Sequence, residues 1–516
     1  VLIHVNFLAA QGDENKALPL RTIAASKRAP VHDLCQPARV IAFKAPHQQT
    51  SRFMTQNIAF DADLIRRYDQ SGPRYTSYPT AAQFHGGITD SDYRKWAAHS
   101  NEDPIPRPLS LYMHIPFCDT VCFYCACNKI VTGDHSRATP YLQHIYREIE
   151  MQSKLFDPDR CVEQLHWGGG TPTFLSSEQI RELMRVTGRH FQLLHDDSGE
   201  YSIEIDPRSV NFEKIRTLRA VGFNRMSVGV QDFNDVVQKA VNRTQSKELT
   251  REVIDTARDV GFRSINIDLM YGLPFQSVDS FSETLDKVVD LSPERIAVYN
   301  YAHLPERFKP QRRINEADLP SSEVKLDILQ QTISQLTSAG YVYIGMDHFA
   351  RPDDEMAVAQ QQGTLHRNFQ GYSTHAECDL IGIGVTAIGK VCDNFIQNVR
   401  SLEEYYQRID SGQFALERGV ELEPDDLLRN EIISQLMCHF RLDIGALESA
   451  WKFDFASHFK AEIKDLQVMQ QDGLLELEGK TLQILPAGRL LVRNICMVFD
   501  RYLRERDGGG GYSKVI

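Results

Sequence analysis

The sequence predicts an α/β protein: a partial (β/α)6 barrel with an N-terminal extension and a C-terminal, mostly helical, winged-helix-like domain. Two observations predict it. From residue 109 onward, short apolar runs of strand length alternate with longer amphipathic stretches. Six such units in series call for a parallel sheet with helices on its outside. From about residue 424 the alternation stops, and helices, a short strand pair and a further helix follow.

Residues 1–53 lack clear periodicity and are almost free of acids after Glu14. Such a stretch is easily mistaken for a transit peptide. Because Met54 stands just before the first patterned segment, residues 1–53 are expected to be an upstream extension of a start at Met54, or a disordered tail. Residues 54–108 form an N-terminal segment on the substrate side. The barrel is assigned to 109–350. Its strands are expected at 109–115, 163–167, 201–205, 225–230, 264–268 and 295–300, and its helices at 139–156, 177–191, 211–220, 246–260, 278–290 and 322–339. Residues 351–423 complete and connect the barrel. Residues 424–516 form the last domain, with strands at 474–478 and 481–484 across Gly479, a helix at 487–503 and a flexible GGGGYSK tail. In a barrel of this kind, chemistry sits at the C-terminal ends of the strands.

Composition narrows the function classes. The chain has 516 residues, 42% of them apolar and 24% charged, which is ordinary for a soluble globular protein. Its net charge of −12 argues against a general nucleic-acid binder, while leaving room for a local basic patch. No apolar run approaches the ~20 residues of a membrane span. Six of the ten cysteines are scattered (Cys35, Cys161, Cys378, Cys392, Cys438, Cys496) and read as reduced thiols, pointing to a cytoplasmic location.

The other four cysteines fall within ten residues, in HIPFCDTVCFYCACNK. Cys118, Cys122 and Cys125 have the spacing C-x3-C-x2-C. A single tight loop so spaced can hold three corners of a [4Fe–4S] cube and leave one iron open. A zinc site usually wants four ligands, often as two separated pairs, and a disulfide framework is unusual in a long chain with few cysteines. Tyr112 and His114 lie two apart on the strand feeding this loop, so both share one face and can point into the barrel mouth. Gly168-Gly169-Gly170-Thr171 follows the second strand, where glycines let backbone approach a ligand or simply turn the chain. Glu204 and Asp206 end the third strand, Gln231 the fourth and Asp268 the fifth, with Arg243 in the loop after the fourth. Polar residues at the ends of apolar strands are poor core residues and read as ligand contacts.

The cysteine loop, with aromatic Tyr124 before its last cysteine, resembles that of radical S-adenosylmethionine (SAM) enzymes, whose fold is a six-unit open barrel. Further runs are similar to one family, the oxygen-independent coproporphyrinogen III oxidases of haem biosynthesis. These are GPRYTSYPT at 72–80, the CAC ending with Cys127, GMDHFARPDD at 345–354, and HRNFQGY at 366–372 followed by Gly382-Ile383-Gly384. The resemblance spans about 54–516. It implies oxidative decarboxylation of the ring A and B propionates of coproporphyrinogen III to vinyl groups, by way of 5′-deoxyadenosyl radicals. It also implies a cluster on Cys118, Cys122 and Cys125, with Cys127 not a ligand. Two SAM molecules would be held, the first by Tyr112, Gly169, Glu204 and Ile388. The second would be held by Tyr124, Gly170, Thr171, Gln231, Arg243, Asp268 and Ala302. The family commonly has Phe at the position of Tyr124. His114 joins Tyr112 and the three cysteines as a catalytic candidate. An electron donor such as flavodoxin or ferredoxin, an unidentified acceptor and a monomeric state are implied, with neither nucleic acid nor membrane as partner. The substrate's four carboxylates call for cations, with Arg74 and the Arg307, Lys309, Arg312, Arg313 group as candidates.

Competing readings are a haem chaperone on the same scaffold, another radical SAM reaction on a tetrapyrrole, and a winged-helix iron–sulfur regulator. Chaperone relatives typically lack the 72–80 run and the extra cysteine. The long barrel argues against the regulator.

Overall fold

Strand β1 (Leu109–Ile115) is buried along its whole length, on both faces. That suits a central strand of a parallel sheet and explains its mainly apolar sequence, in which Ser110 and His114 are the polar exceptions. The computed structural model describes residues 58–375 and 378–505. The expected leader at 1–53 and the glycine-rich tail lie outside the described residues.

After β1 come β2 (Cys161–Gly169), β3 (Glu200–Ile205), β4 (Arg225–Gln231), β5 (Ser264–Tyr271) and β6 (Arg295–Asn300), each parallel to its neighbour in chain order. Helices α1 (Ala138–Ser153), α2 (Ser177–His190), α3 (Phe212–Ala220), α4 (Lys247–Asp259), α5 (Val278–Leu291) and α6 (Ser322–Ser338) alternate with them. Local chemistry fixes where these helices begin. Ser176 accepts from the N–H of Gln179 while the Gln179 side chain returns to the Ser176 N–H, a reciprocal cap that starts α2. Ser277 and Ser280 start α5 in the same way.

The sheet extends beyond six strands. Beyond β6 lie the antiparallel β7 (Val342–Gly345) and β8 (His348–Ala350), with β8 against β6. On the other side β9 (Asp379–Ile383) pairs parallel with β1, and β10 (Ile388–Val391), β11 (Asn394–Asn398) and β12 (Leu416–Glu421) follow antiparallel. Helix α7 (Leu402–Asp410) connects the last two. The strand order is therefore β7-β8-β6-β5-β4-β3-β2-β1-β9-β10-β11-β12.

The C-terminal region holds α8 (Pro424–His439), α9 (Ile444–Trp451) and α10 (Lys460–Gln471) against a three-stranded antiparallel sheet of 441–443, 481–484 and 475–478. The helix expected over 487–503 is broken. A 3-10 turn at Pro486–Gly488, α11 (Val492–Val498) and a short helix at Arg501–Arg504 replace it. The cause is Asp500, whose carboxylate accepts from the N–H groups of Tyr502 and Leu503 and so caps a new start inside the expected helix.

The 72–80 run is locked between this region and the barrel. Tyr75 donates to Asp500 at 2.9 Å, and the N–H of Arg501 donates to the Tyr78 hydroxyl at 3.1 Å. Arg493 donates to the carbonyls of Pro73 (3.0 Å) and Gly72.

Candidate active site

The C-terminal ends of β1–β6 open into a cavity of about 1020 Å³, at the upper end of the usual range for small-molecule sites. Cys118, Cys122, Tyr124, Cys125 and Cys127 line one side. Gly169, Gly170, Thr171, Glu204, Asp206, Gln231, Arg243, Asp268 and Ala302 also line it. Seven widely separated segments thus deliver the residues that the sequence singled out to one space. Tyr112, His114 and Ile388 are not among its lining residues. They are 2%, 1% and 2% exposed and pack behind it.

The glycine turn explains how β2 meets the cysteine loop. The N–H of Gly170 donates to Ile115 and that of Thr171 to Phe117, both at 2.8 Å. A Cβ on Gly170 would lie 2.6 Å from the Pro116 carbonyl oxygen. One on Gly169, where φ is +123°, would lie 2.8 Å from that of Ile115. The close approach these glycines permit is thus first of all to the backbone that carries the cysteines. Thr171 then places its hydroxyl 3.4 Å from the Cys118 sulfur.

Strand β4 ends in a register shift between Gly229 and Gln231, and Gln231 has φ of +71°. A non-glycine residue held in this region is a strained position of the kind found at ligand sites. Its buried Oε1 has no hydrogen-bond partner. Asp268 does not end its strand, as expected from sequence. Leu269, Met270 and Tyr271 continue in register with β6, so Asp268 is held mid-strand by Ser227 and Asn266, each at 2.8 Å. Glu204 accepts from the Gly169 N–H at 3.3 Å and stands 3.7 Å from Nε2 of His166.

Behind the cavity, the Tyr112 ring stacks on His166 at 5.8 Å, and its hydroxyl lies 3.1 Å from Nδ1 of His114. Nε2 of His114 faces the Asn128 carbonyl at 3.1 Å and must donate to it, so Nδ1 accepts from Tyr112. Burial pushes His114 down to about 4, so the ring is neutral at ordinary pH.

The cysteines sit against cations. Arg243 lies 3.4 Å and Arg208 3.8 Å from the Cys122 sulfur, and both grip Asp206. Burial alone would raise that carboxyl, but Arg243 and Arg208 hold Asp206 down at about 2. A hydrogen bond with Cys127 lowers the Cys125 thiol. Lys129 donates to the carbonyls of Cys125 and Cys127 at 3.2 Å. Three thiols on one loop, facing one cavity and backed by guanidinium groups that stabilise anionic sulfur, fit an iron–sulfur cluster. Among the described residues no group of three or more His, Cys, Asp or Glu gathers closely enough for a single metal ion.

Arg74, which pairs with Asp347, and Arg493 also line the cavity. Burial and then Arg367 lower Arg74 to about 10; burial and then Arg74 lower Arg493 to about 9. This crowded positive corner was legible only in Arg74. Arg493 comes from the C-terminal region and carried no signal in the sequence. Of the other expected cations, Lys309, Arg312 and Arg313 are exposed, and neither they nor Arg307 line the cavity. The turn that bears them lends Phe308 and Gln311 to the cavity wall and is pinned to the cysteine loop through Gln311, while Lys309, Arg312 and Arg313 point to solvent.

The chain is similar to known proteins. Residues 112–288 match the radical SAM superfamily, and residues 422–491 match the HemN C-terminal domain. An oxygen-independent coproporphyrinogen III oxidase of Pseudomonas aeruginosa is 55% identical over 450 residues, covering 87% of this chain and 97% of that protein. One from Escherichia coli is 50% identical over 461 residues, covering 89% and 99%. The solved structure of the Escherichia coli coproporphyrinogen III oxidase HemN, described as a radical SAM enzyme, superposes with a TM-score of 0.82 at 49% identity. It covers 86% of this chain and 100% of that one.

Proposed function

The chain belongs to the family of oxygen-independent coproporphyrinogen III oxidases, and on that premise we propose how its cavity performs the family's reaction. The reaction is the anaerobic oxidative decarboxylation of the ring A and B propionates of coproporphyrinogen III, giving the vinyl groups of protoporphyrinogen IX. The carrying observation is the convergence of the three-cysteine loop and the strand-end polar set on one cavity. The unactivated β-hydrogen of a propionate is beyond any side-chain base at neutral pH. A reduced [4Fe–4S] cluster and SAM, when bound, supply a 5′-deoxyadenosyl radical able to remove it.

The protein's part is to hold, orient and shield. Cys118, Cys122 and Cys125 hold the cluster. Glu204, aimed by Gly169 and His166, presents a carboxylate to the ammonium group of a first SAM. Tyr112, His114 and Ile388 brace that wall from behind. A second SAM falls to Tyr124, Gly170, Thr171, Gln231, Arg243, Asp268 and Ala302, all of which line the cavity. The orphaned Gln231 oxygen supports this, since a buried acceptor without a partner invites a ligand donor. Arg74 and Arg493, which also line the cavity, supply cations for the substrate carboxylates. An acidic, monomeric cytoplasmic enzyme fed by flavodoxin or ferredoxin is the setting this reading implies. No helix among the described residues is long and apolar enough to cross a membrane.

The test is anaerobic turnover of the reconstituted protein with SAM, a reductant, coproporphyrinogen III and cell extract as electron acceptor, followed by mass spectrometry. Two successive losses of CO2 with 5′-deoxyadenosine formation, both abolished in Cys122→Ser, are expected. SAM cleavage without decarboxylation would move the substrate elsewhere.

A further inference from the structure

The turn at 305–313 carries Arg307, Lys309, Arg312 and Arg313 against the single acid Glu306, on a chain of net charge −12. Lys309, Arg312 and Arg313 project into solvent. Their backbone is nonetheless firmly held. Buried Gln311 donates Nε2 to the carbonyl of Tyr124 at 3.0 Å and to that of Ala302 at 3.2 Å, and its Oε1 accepts from the Leu304 N–H at 2.6 Å. Ile314 packs in an apolar cluster with Tyr124, Val237 and Val241, against which Cys122, Phe123 and Cys125 rest. The Arg313 guanidinium lies over the Phe123 ring at 5.1 Å. The helix Asp235–Ala240, which buries Val237 in the same cluster, exposes Val236 and Lys239. A rigid, solvent-facing positive corner thus rests directly on the residues between two of the three cluster cysteines.

We propose that Lys309, Arg312 and Arg313 form the docking surface for an acidic one-electron carrier protein. This rests on the radical reading of the same loop. The cavity beneath the cysteine loop must take cofactor and substrate, so a protein donor approaches over the solvent-facing surface beside it, where Lys309, Arg312 and Arg313 are exposed. Electron transfer falls steeply with distance, and Arg313 lies over Phe123, between two of the loop cysteines. Opposite charge steers encounter and fixes orientation without requiring a large apolar interface. In the transfer itself, a carrier in its flavin hydroquinone state loses one electron to become the semiquinone and the cluster gains that electron. No atom or proton crosses the interface.

The test compares the cluster-reconstituted wild type with K309E/R312E/R313E and with the milder R312Q/R313Q. Affinity for an acidic flavodoxin is measured by anaerobic titration calorimetry at low salt and at about 0.3 M salt. In parallel, dithionite-driven turnover and the KM for coproporphyrinogen III are measured without any carrier. The expected result is carrier binding weakened about tenfold or more in the triple variant and less in the double, with wild-type binding lost at high salt. Dithionite-driven turnover and KM stay at wild-type values, which also shows that the variants fold and hold their cluster. Unchanged carrier affinity in both variants would overturn the proposal. A raised KM under dithionite would overturn it too, and would return these residues to the substrate carboxylates. Failure of the radical reading shows separately, as wild-type protein that does not cleave SAM with dithionite.

Discussion

At the scale of single residues, the site depends on groups that tolerate little change. Gly170 is the sharpest case, because a Cβ there would sit 2.6 Å from the backbone oxygen of Pro116. Backbone cannot move aside cheaply. Gly170→Ala is expected to destabilise the protein by about 1–3 kcal/mol and to lower iron and sulfide content after reconstitution. Wild-type cluster content in this variant would show that the loop accommodates the methyl group. His114 offers a pH test. Its folded value of about 4 lies below the ordinary 6.5, so folding disfavours the protonated ring. Stability is therefore full above pH 6.5 and declines as pH falls toward 4. His114→Asn should lose less stability over that window in urea unfolding. An equal loss would mean that the folded ring protonates normally.

At the scale of elements, one buried carboxyl joins three pieces of the barrel's flank. Glu148 on α1 accepts from the Gly384 N–H after β9 (2.8 Å), from Asn398 ending β11 (2.9 Å) and from Tyr405 on α7 (2.6 Å). Its neighbour Tyr141, also on α1, donates to the His114 carbonyl at 2.6 Å, so the network reaches the strand feeding the cysteines. Burial outweighs these hydrogen bonds and raises Glu148 to about 7. The folded state then keeps a proton that the unfolded chain releases near pH 4.5. Stability should fall as pH rises from 4.5 through 7, by roughly 3 kcal/mol at 1.36 kcal/mol per pKa unit. Glu148→Gln should remove most of that slope. A slope unchanged by the substitution would mean that Glu148 folds ionised. The 72–80 run makes a second joint of this kind. Tyr75→Phe deletes the bond to Asp500 and leaves a buried carboxylate short of one donor. It is expected to cost about 1–3 kcal/mol, read as a lower urea midpoint, and to raise the KM for coproporphyrinogen III by loosening Arg74.

At the scale of the whole molecule, the barrel and its flank are one sheet because β9 pairs with β1. A buried ion pair marks that seam. Arg160, just before β2, and Asp379, opening β9, meet with both side chains 2% exposed, and Ser100 and the Cys392 N–H also donate to Asp379. Arg160→Met would leave the buried carboxylate without its counter-charge and should destabilise folding by about 3–5 kcal/mol. An unfolding midpoint within error of wild type would contradict this account of the seam. The alternation of the six barrel units was legible in the sequence because side-chain periodicity reports local geometry. So was the three-cysteine loop, since its cysteines are close in the chain. The split of the expected helix at 487–503 was not, because the capping role of Asp500 is a matter of backbone position rather than apolar pattern. Arg493 was invisible for a related reason. It reaches the cavity wall only because α11 packs against a run some 420 residues earlier in the chain, and no local pattern encodes such a contact. The outward turn of Arg312 and Arg313 is the converse, since charge alone does not say which side of a loop it will occupy. By itself, then, the sequence determined the fold class, the three-cysteine loop and most of the polar set near the strand ends, which depend on short-range spacing. Only the tertiary structure decided which cations enter the cavity, which stay outside it and which residues brace it from behind, because those follow from long-range packing that brings distant segments together.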